Sequence, residues 1–264
     1  MKRHGFTLIE LLVAAAILAL LIAIVVPALT AAKAHARRVL CSTNLHQLSL
    51  GFMIYQQENN TFPYSFYKLL SGMESPSDGC AGFLSYDVRG WWWFDYLRSS
   101  VEFNREPGSI VWCPARKASG DPSVRGNILC GNYGVNRSIL KDTLHQNSEF
   151  FGKPLKASEV QQPSKTLLIT DSGYSQISWL AAAEISGPVF ENNDRVGHFY
   201  VPGLTSNQTR GELRDNPDAI QGRHPHRTLN IGFADGHQKV RNADALMIEK
   251  IIADQNRPAS LWFP

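Results

Sequence analysis

Between Phe6 and Leu29 the chain reads FTLIELLVAAAILALLIAIVVPAL, 24 residues in which only Thr7 and Glu10 are polar. At about 1.5 Å rise per residue such a run spans about 36 Å as a helix, against a bilayer hydrocarbon core of about 30 Å. A helix at the surface of a soluble core needs a polar face, and none exists from Leu11 to Val26. The segment therefore belongs in a membrane at some stage. A cleaved secretory signal would have a shorter apolar stretch of roughly 7–15 residues and a small-residue cleavage site. Here Ala31-Ala32-Lys33-Ala34 offers only a weak match. Glu10 is the second constraint. A carboxylate at mid-bilayer costs about 2.5–3.5 kcal/mol on insertion scales, so it needs a partner or a snorkelling path to the interface.

The remainder of the 264 residues suits one globular head on this appendage. The net charge of +3 is spread along the chain without a block of five like charges, which argues against nucleic acid as a partner. A slightly negative mean hydropathy excludes a polytopic membrane protein.

The leader Lys2-Arg3-His4-Gly5 and the following Phe6-Thr7-Leu8-Ile9-Glu10 resemble the processing site of type IV prepilins and type II secretion pseudopilins. The resemblance implies a cut between Gly5 and Phe6 by a prepilin peptidase, and N-methylation of the new Phe6 terminus. It implies that Glu10 pairs with the terminal amine of a neighbouring subunit, two costly buried charges offsetting one another. Pro27 matches a recurrent kink position, where a missing donor and a ring clash disturb the helix. The implied partners are the peptidase and methyltransferase, other pilin or pseudopilin subunits, an inner-membrane assembly platform and the bilayer. Lys2, Arg3 and His4 place the N-terminus in the cytoplasm by the positive-inside rule. Lys33, Arg37 and Arg38 lie on the far side, so orientation with the head outside the cytoplasmic membrane rests on the resemblance.

Beyond Leu29, alanines interleave with basic residues. Val39, Leu40, Leu45, Leu48, Phe52 and Tyr55 then recur at three- and four-residue spacings, predicting an amphipathic half-helix that ends near Glu58-Asn59-Asn60. Pro163 and Gly173 bound the clearest strand, Lys165–Asp171. Leu229–Ala234 and His237–Val240 flank Asp235-Gly236 and read as a hairpin whose two turn positions take positive φ. Trp91–Leu97 and a strand-like Ser109–Pro114 precede them, and Ala243–Gln255 reads as a closing helix. The expected class is α+β and pilin-like, a long N-terminal helix on an antiparallel sheet. Its parts are a leader 1–5, an anchor helix 6–29, an amphipathic half 30–60 and a β-rich head 61–264.

The head has a resemblance of its own. Cys41-Ser42-Thr43-Asn44-Leu45, Trp112-Cys113-Pro114, Asn132-Tyr133-Gly134-Val135-Asn136, Pro163-Ser164-Lys165-Thr166 and Phe233-Ala234-Asp235-Gly236-His237 look like the prepilin-like family that ends in a His-x9-Asp-Gly motif. The register departs, since His224 lies one residue too far from Asp235 and His226 one too near.

His224, His226, Asp235 and His237 form the densest run of metal-ligand residue types. Asp235 suits a turn for backbone reasons and Pro225 splits two histidines, so a structural use is expected ahead of a bound ion, and catalysis last. The pseudopilin resemblance leaves room for a calcium site in a head loop, with Asp194 or Asp235 among its oxygens. No cofactor and no catalytic residue is expected. Ser172 in Asp171-Ser172-Gly173 reads as a strand-end turn, and no nucleophile elbow, P-loop or dinucleotide fingerprint occurs.

The four cysteines, Cys41, Cys80, Cys113 and Cys130, contain no Cys-x-x-Cys. In an extracytoplasmic head they allow two disulfides in three connectivities, or buried thiols. Because Cys41 and Cys113 lie in family-like segments, Cys41–Cys113 with Cys80–Cys130 is one arrangement. Trp91, Trp92, Trp93, Phe94 and Tyr96 could stack on sugars or fill the core, with core expected for most. The main expectation is a structural filament subunit. The rivals are a tethered carbohydrate-binding module and a metal-dependent hydrolase.

Overall fold

The apolar run and the amphipathic stretch form a single helix, α1 (Leu8–Asn59). Thr7 caps it in an extended conformation, and Glu10 closes a capping box by accepting from the Thr7 backbone N–H at 2.8 Å. Its far end is an αL residue, Asn60, whose N–H donates to the Gln56 carbonyl at 2.8 Å, and Pro63 follows shortly after. This computed structural model describes residues 6–69, 90–103, 106–117, 126–144, 146, 148–183, 200–213, 216–248 and 261–264. The leader 1–5, Cys80 and Asp194 lie outside the described residues.

α1 runs unbroken through Pro27. Proline has no N–H to give the Ala23 carbonyl, while one turn on the Thr30 hydroxyl donates to the Val26 carbonyl at 2.9 Å. No residue from Phe6 to Leu40 is buried. Burial starts at Cys41 and continues through Leu45, Leu48, Phe52 and Gln56, with Ser49 and Gly51 beside them. The expected stripe therefore begins two positions later than read: Val39 and Leu40 remain 58% and 54% exposed, because at about 100° per residue they lie about 160° and 100° round the helix from Cys41, off the docked face.

The main sheet has five strands in the order β5-β3-β4-β6-β7. They are β3 (Tyr133–Asn136), β4 (Leu167–Asp171), β5 (Gln176–Ile177), β6 (Thr228–Phe233) and β7 (Gln238–Asn242). Neighbours are antiparallel except β3 and β5, which are parallel, so the sheet is mixed and not purely antiparallel. β4 is buried throughout and central, which explains its near-continuous apolar sequence; β7 is the edge and is guarded by Lys239 and Arg241. A second ribbon pairs β1 (Phe66–Lys68) with β2 (Gly90–Trp92), and a one-turn helix, α2 (Trp93–Tyr96), follows it.

β6 shows how the two faces divide. Leu229, Ile231 and Phe233 enter one apolar cluster with Leu204 and Trp262, while Gly232 faces α1. A Cβ at Gly232 would stand 2.7 Å from Ser49 Oγ of α1 and 2.9 Å from Ile169 Cγ2, so the absent side chain sets how closely the helix lies on the sheet. The helix-side cluster joins Cys41, Leu45, Leu48 and Phe52 to Trp92, Trp93, Phe94, Val135 and Leu168.

Three local expectations change. Ser109–Pro114 is a run of turns and not a strand; the Cys113 N–H is taken by the Asn132 side chain at 3.1 Å instead of by a ladder. The β6–β7 hairpin closes through the four residues 234–237, of which Gly236 alone adopts positive φ, +87°, with its N–H on the Phe233 carbonyl. The closing segment is a 3-10 turn, Ala243–Leu246, after which Ile248 pairs with Ala183; residues 249–255 lie outside the described set.

Candidate functional site

At the start of α1, Glu10 turns back onto its own helix. Its Oε2 accepts from the Thr7 amide and, at 2.7 Å, from the Thr7 hydroxyl. Phe6, 75% exposed, precedes this cap, and the large apolar residues from Leu8 to Leu29 all point outward at half exposure or more. α1 is long and apolar enough to cross a membrane, with nothing of its apolar stretch buried inside the chain. Such a surface is stable only in lipid or against other apolar helices.

Where α1 meets the head, a buried polar centre forms. Cys41 of α1 and Cys113 of the turn segment are joined by a disulfide, with Cα atoms 5.2 Å apart. Asp171, at the end of β4, and His224, in the connection to β6, are both fully buried at their side chains. His224 Nε2 lies 3.1 Å from Asp171 Oδ2 and 3.0 Å from Asn230 Nδ2. The Asn230 backbone N–H donates to the same carboxylate oxygen at 2.8 Å. Arg223 sits beside them, 3.8 Å from Asp171 and paired with Asp218 at 2.8 Å, and donates to the Asn132 and Ser172 carbonyls. Burial alone would raise the Asp171 carboxyl; its contacts with His224, Arg223 and the Asn230 N–H outweigh that and hold it below the ordinary range. Burial likewise works against the Arg223 cation, but Asp218 and Asp171 more than compensate and raise its pKa.

This centre separates residues that sequence proximity grouped. His224 belongs to it. Asp235 and His237 sit at the other end of β6, about 17 Å away for a six-residue strand, where Asp235 Oδ1 meets His237 Nδ1 at 2.5 Å and the His237 ring stacks on Phe233. His226 occupies a left-handed turn with Arg227, at φ +58° and +55°. The four do not converge on one ion. Ser172 is buried and its hydroxyl accepts from the Tyr174 N–H, a strand-end turn. Cys130 is buried in the helix-side core.

The tryptophan run is mostly core: Trp92, Trp93 and Phe94 are at most 1% exposed, and Trp93 Nε1 donates to the Ser175 carbonyl. Trp91 is half-buried and tilts against Tyr96, and therefore offers no open three-ring platform for a sugar. Sequence reasoning missed Arg223, Asn230 and Asp218 as parts of one centre. The only signal was the short run Arg223-His224 ahead of the strand carrying Asn230.

Comparison with known families gives two matches. Residues 1–26 match the prokaryotic N-terminal methylation motif, and residues 30–97 match the family described as a protein of unknown function (DUF1559). The first 26 residues thus carry a prepilin-type methylation motif, and the second match runs on from it through the docked half of α1 into the start of the head. Neither the curated proteins nor the solved structures returned a match.

Proposed function

We propose that this chain is a structural subunit of a type IV pilus or type II secretion pseudopilus, cut after Gly5, methylated at Phe6 and assembled through α1. The observation that carries this reading is the methylation motif set on a helix whose first 33 residues, Leu8 to Leu40, are left unburied by the head. Before assembly the apolar half of α1 serves as a single-pass anchor, with the head outside the cytoplasmic membrane. During assembly it exchanges lipid for neighbouring helices. Glu10, held by Thr7 in the isolated chain, exchanges that partner for the Phe6 ammonium of an adjacent subunit. The peptidase, an assembly platform and other subunits are the partners in this reading, and the chain is their substrate and not itself an enzyme.

N-terminal peptide mass spectrometry of membrane-extracted protein, co-expressed with a prepilin peptidase, tests it. A methylated Phe6 terminus is the expected result. An intact Met1 or a start near Ala34 sinks the assembly reading and leaves a plain anchor or a secreted head. Glu10→Leu, processed normally but absent from sheared filaments, is the companion result expected if the carboxylate acts in assembly.

A further inference from the structure

We propose that the reduced form of this chain holds one divalent transition-metal ion, zinc by preference, through Cys41, Cys113, Asp171 and His224. One ligand atom from each of these residues lies within 4.8 Å of the others, and all four residues are buried. They come from four places in the fold, α1, the turn before β3, the end of β4 and the connection into β6, so the geometry is imposed by the tertiary structure and not by one flexible loop. Their neighbours hold them in position. The Cys113 N–H is fixed by Asn132, the Asp171 carboxylate by the Asn230 N–H, and the Cys41 carbonyl accepts from the Tyr133 hydroxyl at 3.3 Å.

Two of the spacings, one to each carboxylate oxygen of Asp171, lie near those of a tetrahedral ion. Bonds of about 2.0–2.1 Å to nitrogen and oxygen put those two ligands about 3.3 Å apart, and a sulfur bond of about 2.3 Å puts sulfur about 3.6 Å from oxygen. His224 Nε2 is 3.1 Å from Asp171 Oδ2, and Cys113 Sγ is 3.9 Å from Asp171 Oδ1. The two sulfurs are too close, because they are bonded to each other. Cleaving that bond lets them recede to the roughly 3.8 Å of two thiolates on one ion. Two thiolates, an imidazole and a carboxylate are a zinc or cobalt donor set, and with four protein ligands the site is closed and structural. Two thiolates and the carboxylate carry three negative charges. The ion meets two of them, and the Arg223 guanidinium, 3.8 Å from Asp171 and shared with Asp218 at 2.8 Å, offsets the third in part.

The chemistry balances with a dithiol as reductant. It delivers two electrons and two protons to the Cys41 and Cys113 sulfurs and leaves as its own disulfide. The ion then displaces both thiol protons to solvent. His224 coordinates through Nε2 as a neutral imidazole with its proton on Nδ1, a buried atom without a hydrogen-bond partner among the described residues. The covalent and the metal cross-link are thus alternatives at one junction, and α1 stays fastened to the head in either redox state.

The test uses full-length protein in detergent micelles, reduced with a phosphine, which takes oxygen from water as it reduces the disulfide and does not compete for metal as a thiol. Cobalt(II) is then titrated. The expected result is one cobalt per chain, with thiolate charge-transfer and tetrahedral visible bands that stoichiometric zinc abolishes, and no such spectrum from the oxidised protein. His224→Ala removes a ligand outright and is expected to weaken cobalt binding by more than the roughly 10–100-fold caused by losing an outer-shell partner. Absence of cobalt bands from reduced, unalkylated protein, when a parallel aliquot alkylates at both Cys41 and Cys113, overturns the proposal. Bands that persist in Cys41→Ala/Cys113→Ala also overturn it. If reduction alone abolishes the near-ultraviolet circular dichroism, its recovery with one equivalent of zinc supports the site, and failure to recover overturns it.

Discussion

The two halves of α1 share a backbone and differ in what surrounds them. From Leu8 to Leu40 the helix is clothed in alanine and aliphatic residues, then alanines and bases, and touches nothing that buries it. From Cys41 to Gln56 one face is sealed under Trp93, Leu168 and β6, and the opposite face carries exposed Leu50 and polar residues. Helix propensity serves both halves. Only the second derives stability from its own chain, so the first must obtain it from lipid or from other copies. The head and the docked half-helix form one cooperative unit, and the free half is an extension whose folding partner is external.

The sharpest test of that contrast substitutes each half in turn. Phe52→Ala, which opens a hole beside Trp93, is expected to cost about 3–5 kcal/mol in a denaturant melt of the head, whereas Leu21→Ala should leave that melt unmoved. A comparable loss from Leu21→Ala would erase the distinction.

Next in size is the cross-link. Cys41→Ser/Cys113→Ser frees a loop closed over 72 residues, and the chain-entropy estimate puts the loss at roughly 4 kcal/mol. Non-reducing peptide mapping and the same melt check it.

Gly232→Ala probes the closeness of helix to sheet. Its methyl would meet Ser49 Oγ at 2.7 Å and Ile169 Cγ2 at 2.9 Å, so a loss of about 1–3 kcal/mol is expected.

The smallest effect is confined to alkaline solution. Burial pushes the Tyr133 and Tyr200 phenols well above their ordinary range, with Asp171 and Asp218 respectively adding repulsion. For a group raised on folding, the stabilising contribution is complete below the unfolded pKa of about 10 and is lost as pH rises through the folded value. Stability should therefore fall above about pH 10 by up to ~1.4 kcal/mol per pH unit for each such phenol. Tyr133→Phe should flatten that limb in melts followed from pH 8 to 12; an unchanged slope rejects Tyr133 as a contributor.

What could be read from sequence follows the range of the interactions involved. The far end of α1 was legible because Asn60 and Pro63 are local signals, whereas the equally local capping box of Thr7 and Glu10 was passed over for the assembly role of Glu10. β4 was legible because five consecutive buried residues leave an apolar run. The start of the docked stripe was misread, since Val39 and Leu40 are as apolar as Leu45 but lie about 120° and 140° round the helix from it. The buried centre was illegible for a related reason. Asp171, Asn230 and Arg223 are polar residues hidden by pairing with one another across 52 to 59 positions, which no periodicity records. The histidine cluster misled because His224 and His237 are near in sequence but lie at opposite ends of a strand. Between His224 and β6 the chain passes through the left-handed pair His226 and Arg227, where Arg227 is held by the Gly203 carbonyl and Asp244.

Mechanically, the stretch from Leu8 to Leu40 is a lever about 50 Å long. A sideways load on it would peel the docked half from the sheet, and peeling concentrates stress at the first bonded point. That point is Cys41, where the fastening is covalent. The crack cannot open at its own tip, so a load applied along the lever reaches the head as shear distributed over Leu45, Leu48 and Phe52, the loading in which a packed helix is strongest.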